Sequence, residues 1–370
     1  MTLRKLVAVL VSVLMGAACV ARPAEAGKPT GGYKVLQPIQ QDNLTIFPVV
    51  AAATHDTSQF LTLDEGIRSG EVVVSEMGRA LPMVRRPGPV PPSDSAQVNR
   101  LVLVNNSRRP LILLAGEIVT GGKQDRVVGS DRIVLPKSEP VDLSVFCVEP
   151  GRWTATSGDT FGGFTAQMAQ PSVRKEAMAN RDQAKVWSEV GRVNDAMVAA
   201  TPNVSRSTSY ARNMGNPEVA KQVDKVAGPL SRSSDGLMRQ LRDRKAVGVV
   251  VAINGRLEWV DLFASEALLQ KYWPKLVRSY AAESLTNHDS GAARPEIDDA
   301  QRFLDTMSGE REISQTEPDV YRETEAQGHG WKAFRLTSLL PDTGFDLHIA
   351  KMTTGKLAEP VGLMRRQPVE

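Results

Sequence analysis

The sequence predicts an α+β protein with an antiparallel β-rich N-terminal half, a helical insertion, and a β-hairpin plus helix C-terminal half that closes one core. Three observations carry this. Four strand-like runs follow one another between residues 97 and 148 without a helix-length crossover, so antiparallel pairing is the economical connection. Helical periodicity then takes over across an insertion at about 155–245. Finally, Asn254-Gly255 separates two apolar runs, the strongest short-range hairpin signal a sequence can carry.

The elements follow in order. Residues 44–50 are strand-like, and 60–66 hold a short helix that Thr62 or Asp64 could cap. Residues 71–76 are β-branched and form a strand. Pro87, Pro89, Pro91 and Pro92 make 86–95 a surface loop. Strands are expected over 97–104, 111–118, 127–135 and 141–148. Ser172 caps a helix over 172–200 with Val173, Ala177, Ala184, Trp187, Val190, Val193 and Met197 on one face. Two shorter helices, 217–227 and 235–245, flank Gly228-Pro229. After the hairpin (246–253 and 256–263), Ser265 caps an amphipathic helix in which Pro274 predicts a kink or a restart. A helix over 295–307 and strands over 321–325, 331–338 and 345–352 complete the chain.

Residues 1–26 have the layout of a secretory signal. Arg4 and Lys5 precede an apolar run over 6–20, Pro23 breaks it, and Ala24-Glu25-Ala26 supplies a cleavage site before Gly27. The run is short of the roughly 20 residues of a membrane span. The expectation is an exported protein, periplasmic or extracellular, cut after Ala26 and free of the membrane thereafter. Lipidation at Cys19 is the lesser alternative, because Gly16 stands where a lipoprotein box carries Leu. Residues 27–41 read as a flexible arm, 42–355 as one domain and 356–370 as a tail.

Cleavage removes Arg4, Lys5 and Arg22 against Glu25, taking the formal net charge from +3 to about +1. A near-neutral chain is no electrostatic binder of nucleic acid. Cys147 is then the sole cysteine, so no internal disulfide forms, and a chain of this length can rely on its core. The four histidines have no ligand spacing and the acids no calcium-loop pattern, so neither metal nor cofactor is expected.

Two polar clusters stand between the strand-like runs. The first, GEIVTGGKQDR over 116–126, superficially resembles a phosphate-binding loop. Glu117 occupies the position where that loop needs Gly, Gln124 follows Lys123 where it needs Ser or Thr, and Val127-Val128 continues as strand rather than helix. A nucleoside triphosphatase is therefore excluded. What remains is a strand–turn–strand with Gln124 and Arg126 on one face and Lys123 and Asp125 on the other. It suits a planar oxyanion, or it is simply a hairpin with solvated charges.

The second cluster is CVEPGRW over 147–153. Cys147 is either a buried small hydrophobe or a nucleophile, with His348 the best remote base. Glu117 and Glu149 are either an acid–base pair or two carboxylates held by Arg126 and Arg152.

The order Leu63-Asp64-Glu65, Leu114-Ala115-Gly116-Glu117, Gly121-Gly122-Lys123-Gln124, Arg126 and Cys147 through Trp153 resembles the ARG and rhodanese-phosphatase-superfamily-associated protein domain. Residues 261–265 and 272–276 are similar to it as well. The resemblance covers most of the mature chain and implies one domain. It assigns no activity and no catalytic residue.

The leading expectation is a binding site for a small anionic ligand. Lys123, Gln124, Arg126 and Arg152 would contact the anion, Glu117 and Glu149 would orient those groups, and Trp153 would complete the site. A second reading is a hydrolase or transferase that uses Glu117 or Cys147 in the same pocket. A third is an envelope interaction protein with an exposed aromatic patch, against which burial of Trp153, Trp259 and Trp273 would count.

Overall fold

The computed structural model describes residues 32–76, 100–152, 160–161, 167–202, 204–231, 245–287 and 293–355. The signal segment, the proline-rich loop, Trp153, residues 235–244 of the expected third helix and the tail lie outside the described residues.

Among the described residues the first strands are β1 (Tyr33–Val35), β2 (Ile39–Gln41), β3 (Leu44–Ala51), β4 (Leu61–Thr62), β5 (Val72–Glu76) and β6 (Arg100–Asn105). Next come β7 (Leu111–Leu113), β8 (Ile118–Val119), β9 (Arg126–Val128), β10 (Arg132–Val134), β11 (Val141–Cys147) and β12 (Thr160–Phe161). The hairpin supplies β13 (Ala246–Ile253) and β14 (Arg256–Phe263). The last four are β15 (Arg311–Glu317), β16 (Tyr321–Gly328), β17 (Trp331–Ser338) and β18 (Asp346–Thr353). The helices are α1 (Leu63–Arg68), α2 (Pro171–Lys175), α3 (Gln183–Ala200), α4 (Tyr210–Gly215), α5 (Pro217–Ser231), α6 (Glu266–Thr286) and α7 (Ile297–Asp305).

The main sheet runs β1-β3-β13-β14-β18-β17-β16-β15, with β2 also on β3, and every pairing in it is antiparallel. The N-terminal strand β3 therefore pairs directly with the hairpin strand β13, and the two halves of the chain share one sheet. Every residue of β13 is buried. Val249 and Val251 face the larger core under the helices, while Val250 and Ala252 face a second core that Phe303 and Leu304 of α7 cover.

The N-terminal half also forms a six-stranded antiparallel sheet, β12-β5-β6-β11-β9-β8, and a three-stranded one, β10-β7-β4. β4 and β7 pair in parallel, a departure from the all-antiparallel expectation. β7 is buried on both faces: Leu111 and Leu113 pack into the core of the small sheets, Ile112 into the large core. That double burial is why residues 111–114 read as a continuous apolar run rather than an alternating one.

Local chemistry explains where the elements end. Thr62 caps α1 in a reciprocal box, accepting from the Glu65 amide at 3.3 Å while Glu65 accepts from the Thr62 amide at 2.9 Å. Ser265 accepts from the Leu268 amide at 3.0 Å and caps α6, which runs through Pro274 without a restart.

Several expected elements differ. The expected helix 172–200 is two helices. Its first turns pass into a π-turn at Glu176–Asn180, Arg181 takes a left-handed φ of 50°, and Asp182 caps α3 afresh. The expected strands 111–118 and 127–135 are each broken in two. Gly116, with φ 94°, turns the first. In the second, Gly129 lies where a Cβ would meet the Phe146 ring at 2.8 Å. Residues 33–35 and 39–41 of the expected arm are strands, the first held in part by Gln301, which accepts from the Val35 amide and donates to the Tyr33 carbonyl. β15 went unforeseen because REISQTE is exposed at every position and has no buried face to impose a pattern.

Candidate functional site

The two polar clusters meet. Cys147, the last residue of β11, pairs with Arg126, the first of β9, and beyond that pair both chains leave the sheet. Gly121 and Gly122 have φ of 125° and 50°, backbone that glycine alone adopts readily, and they bend the turn back toward residue 149. Glu149 Oε2 accepts from the Asp125 amide at 3.1 Å, and the Glu149 carbonyl accepts from Gln124 Nε2 at 3.1 Å. Arg152 closes the contact. It lies 2.5 Å from Glu149 Oε2 and 3.5 Å from Asp125 Oδ1, and it donates to the Gly122 carbonyl at 2.9 Å. Asp125 further accepts from the Gly121 amide and the Ser209 hydroxyl, while the Lys123 amide donates to Glu76.

Charge is layered here. The Glu149 and Asp125 side chains are 3% and 7% exposed, Arg152 is 13% and Arg212, 4.0 Å from Glu149, is 61% exposed. Burial and the neighbouring Glu149 charge raise the Asp125 pKa, against the hydrogen bonds of Gly121 and Ser209 and the charge of Arg152. Arg126 and Gln124 lie beneath the surface.

Cys147 is fully buried, and its sulfur accepts from the Glu149 amide at 3.3 Å. Burial raises the thiol pKa and outweighs the stabilising pull of Trp187, the Glu149 amide and Arg126. A thiol so held is protonated at neutral pH. Glu117 does not join Glu149. Its carboxylate pairs with Lys275, which also donates to Asp64 at 2.6 Å and lies 4.6 Å from the Tyr272 ring centroid. Burial raises Glu117, helped by Asp64 and opposed by Lys275, whereas the two carboxylates raise Lys275 against its own burial.

His348 stands elsewhere than beside Cys147. Its Nδ1 is 2.5 Å from Asp131 and its Nε2 is 3.0 Å from Asp261. Asp261 also takes two bonds from Arg174, at 2.9 and 3.0 Å, and one from the Tyr280 hydroxyl. All five side chains are buried. Burial alone would lower the imidazole, but the Asp131 charge and the hydrogen bonds to both carboxylates raise it to about 9. With an acceptor on each ring nitrogen, the charged form is the one that fits. Burial would likewise raise Asp261, yet Arg174 and His348 depress it far below the usual carboxylate range.

Residues 114–117 tie these groups together. The Leu114 amide donates to Glu117 at 2.7 Å and the Ala115 amide to Asp131 at 2.8 Å. Gly116 turns against Arg174, so close that an added Cβ would lie 2.6 Å from the Arg174 side chain. Phe263 fills the space between the two ion clusters, 5.4 Å from Tyr272 and 4.9 Å from His348 between ring centroids.

The model of one family, the ARPP-1 (ARG and Rhodanese-Phosphatase-superfamily-associated Protein) domain, matches residues 32–349. The chain belongs to this family. No curated protein and no solved structure matches it. The matched span of the ARPP-1 domain takes in both the joined surface cluster and the buried ion network.

Sequence reasoning brought Gln124, Arg126, Glu149 and Arg152 into one place and missed Asp131, Arg174 and the pairing of Lys275 with Asp64 and Glu117. Two signals pointed to the missing set. Asp261 is the one charge in the apolar stretch WVDLF, and Lys275 interrupts the apolar stripe of α6. A charge among buried positions requires a partner. Arg174 carried no such mark.

Two outcomes follow. Gly116→Ala combines an unfavourable left-handed φ with a clash, and should cost about 2 kcal/mol or more, measured as a lower urea midpoint with an unchanged slope. For His348, the folded pKa of about 9 lies above the unfolded value near 6.5. Its stabilisation is therefore complete below about pH 6.5 and lost as pH rises through about 9, and is on the order of 3 kcal/mol. The stability gap between the protein and His348→Gln should narrow between pH 6 and 9.5. A gap that stays constant contradicts a charged His348.

Proposed function

We propose that the protein is exported and binds a small anionic ligand where residues 121–126 meet residues 149–152. The layering of charge supports this reading. Glu149 and Asp125 lie below, and Arg152 and Arg212 reach the surface above them. The carboxylates fix the Arg152 guanidinium from the inner side, and a ligand carboxylate or phosphate would approach it and Arg212 from the solvent side. A planar guanidinium fixed in advance loses little freedom on binding, and its paired donors match such oxyanions.

The roles within the set shift with the geometry. Arg152, half-buried Lys123 and Arg212 are the contact groups, while fully buried Arg126 and Gln124 support the turn from beneath. Glu149 orients Arg152. Glu117 belongs to the Lys275 cluster and supports the core rather than the ligand. Neither Glu117 nor Cys147 reaches the surface, which favours binding over catalysis at this place. Trp259 and Trp273 are buried, so an interaction patch built on them draws no support.

A thermal-shift screen of the mature protein against phosphate, sulfate and small mono- and dicarboxylates should find a stabilising anion. Arg152→Ala should weaken it by about tenfold or more, the worth of a charge-assisted hydrogen bond. A shift that survives Arg152→Ala unchanged places the ligand elsewhere. For export, intact-mass measurement of protein from the host's extracytoplasmic fraction should give an N-terminus at Gly27. A chain retaining residues 1–26, or lipidated at Cys19, overturns the cleavage assignment.

A further inference from the structure

A separate cavity of about 270 Å³ opens where α2, α3 and the end of α6 face the main sheet. Its sheet wall is made by a defect in the ladder. Val251 pairs with Trp259 and Ala252 with Leu257, which leaves Glu258 as the extra residue of a β-bulge. Leu257 packs into the core under α7 and Trp259 into the opposite one. The bulge reverses the strand's faces and lets Glu258 and Trp259 line the same cavity. Bulges re-aim side chains in this way beside functional sites.

Trp259 is 1% exposed, and its indole N–H has no hydrogen-bond partner. A buried donor left unmet costs about 1–3 kcal/mol, and this one belongs to a cavity-lining side chain. The opposite demand comes from Glu258 and Glu283. Glu283 is held from below by the Ser172 amide and Gln170 Nε2, both at 2.9 Å. Burial and the nearby Glu283 charge raise Glu258 to about 7, against Lys175 and Arg256. Two carboxylates facing one cavity, Glu258 from β14 and Glu283 from α6, are relieved by an arriving cation. On the helical wall, Arg192 is bound to Glu189 at 2.6 Å, while Lys175 also lines the cavity.

The geometry points to a second binding site, for a small zwitterion of the amino-acid class. Its ammonium group would lie against Glu258 and Glu283, and its carboxylate would accept from the Trp259 indole and face Lys175. The volume is just under the roughly 300 Å³ at which sites for drug-sized ligands begin, which suits a compact ligand. None of these residues belongs to the surface cluster at residues 121–152.

Calorimetric titration of the full mature chain with the twenty proteinogenic amino acids tests this. Matched hydroxy acids, lacking the amine, and matched primary amines, lacking the carboxylate, serve as controls. At least one amino acid should bind, with either control weaker by tenfold or more. Glu258→Gln and Lys175→Met should each weaken binding about tenfold, and Trp259→Phe should do so by removing the N–H. Arg152→Ala should leave it unchanged, which separates this site from the anion site. Should Trp259→Phe fail to fold, the Glu258 and Lys175 variants decide. The inference is overturned if no amino acid binds, if the hydroxy acid binds equally well, or if Glu258→Gln retains full affinity.

Discussion

A carboxylate in the middle of an apolar strand stays ionised only if the fold answers it with charge and hydrogen bonds, and Asp261 sets that condition here. It sits on β14 between Val260 and Leu262 and is fully buried. Arg174 comes from α2, Tyr280 from α6 and His348 from the neighbouring strand β18 to meet it. Each of those elements is thereby located relative to the main sheet. Apolar packing specifies volume but tolerates sliding, whereas a two-pronged guanidinium–carboxylate pair fixes distance and angle. Removing one partner leaves an uncompensated buried charge, costing about 3–5 kcal/mol. Network and core are thus mutually dependent.

The same network joins the sheets. Asp131 lies between β9 and β10 of the small sheets and bonds His348 in the main one. Its other oxygen takes the Ala115 amide. Lys275 of α6 reaches Asp64 of α1 and Glu117 of the turn together. Residues 114–117 therefore touch both ion clusters, and Gly116 is needed because its backbone is left-handed and Arg174 occupies the space of a Cβ. This is a different role from the one its sequence suggests. GEIVTGGKQDR reads as one unit, yet its first two residues serve the buried junction and its last six the contact with residues 149–152.

That division shows what a sequence can convey. The hairpin at Asn254-Gly255, the caps at Thr62 and Ser265 and the strands 331–338 and 345–352 were legible because each depends on residues adjacent in the chain. The meeting of residues 121–126 with 149–152 was half legible. Strand adjacency suggested it, but the bonds among Glu149, Asp125 and Arg152 depend on left-handed glycines no pattern announces. The His348–Asp131–Asp261–Arg174 cluster was illegible as a set, since its members lie 43 to 217 positions from one another. Only one oddity of it, the charge in WVDLF, was visible, as was the lysine on an apolar stripe that marks the neighbouring Glu117 cluster. β15 escaped for the opposite reason: an exposed edge strand imposes no hydrophobic period.

Polar satisfaction separates support from function in this molecule. At the Asp261 network every carboxylate is met from several sides, and the groups are closed off from solvent. Such a cluster can hold a fold together but offers little to a ligand. At the surface cluster, the carboxylates lie deep while Arg152 and Arg212 stand nearer the surface, so positive charge is outermost. At the bulge, the Trp259 N–H is unmet, and Glu258 and Glu283 crowd two negative charges beside the same cavity. Buried polar groups without partners carry a free-energy cost that folding does not recover. A ligand that supplies both an acceptor and a cation recovers it, and that is the physical argument for looking at the bulge as well as the more conspicuous glycine-rich turn.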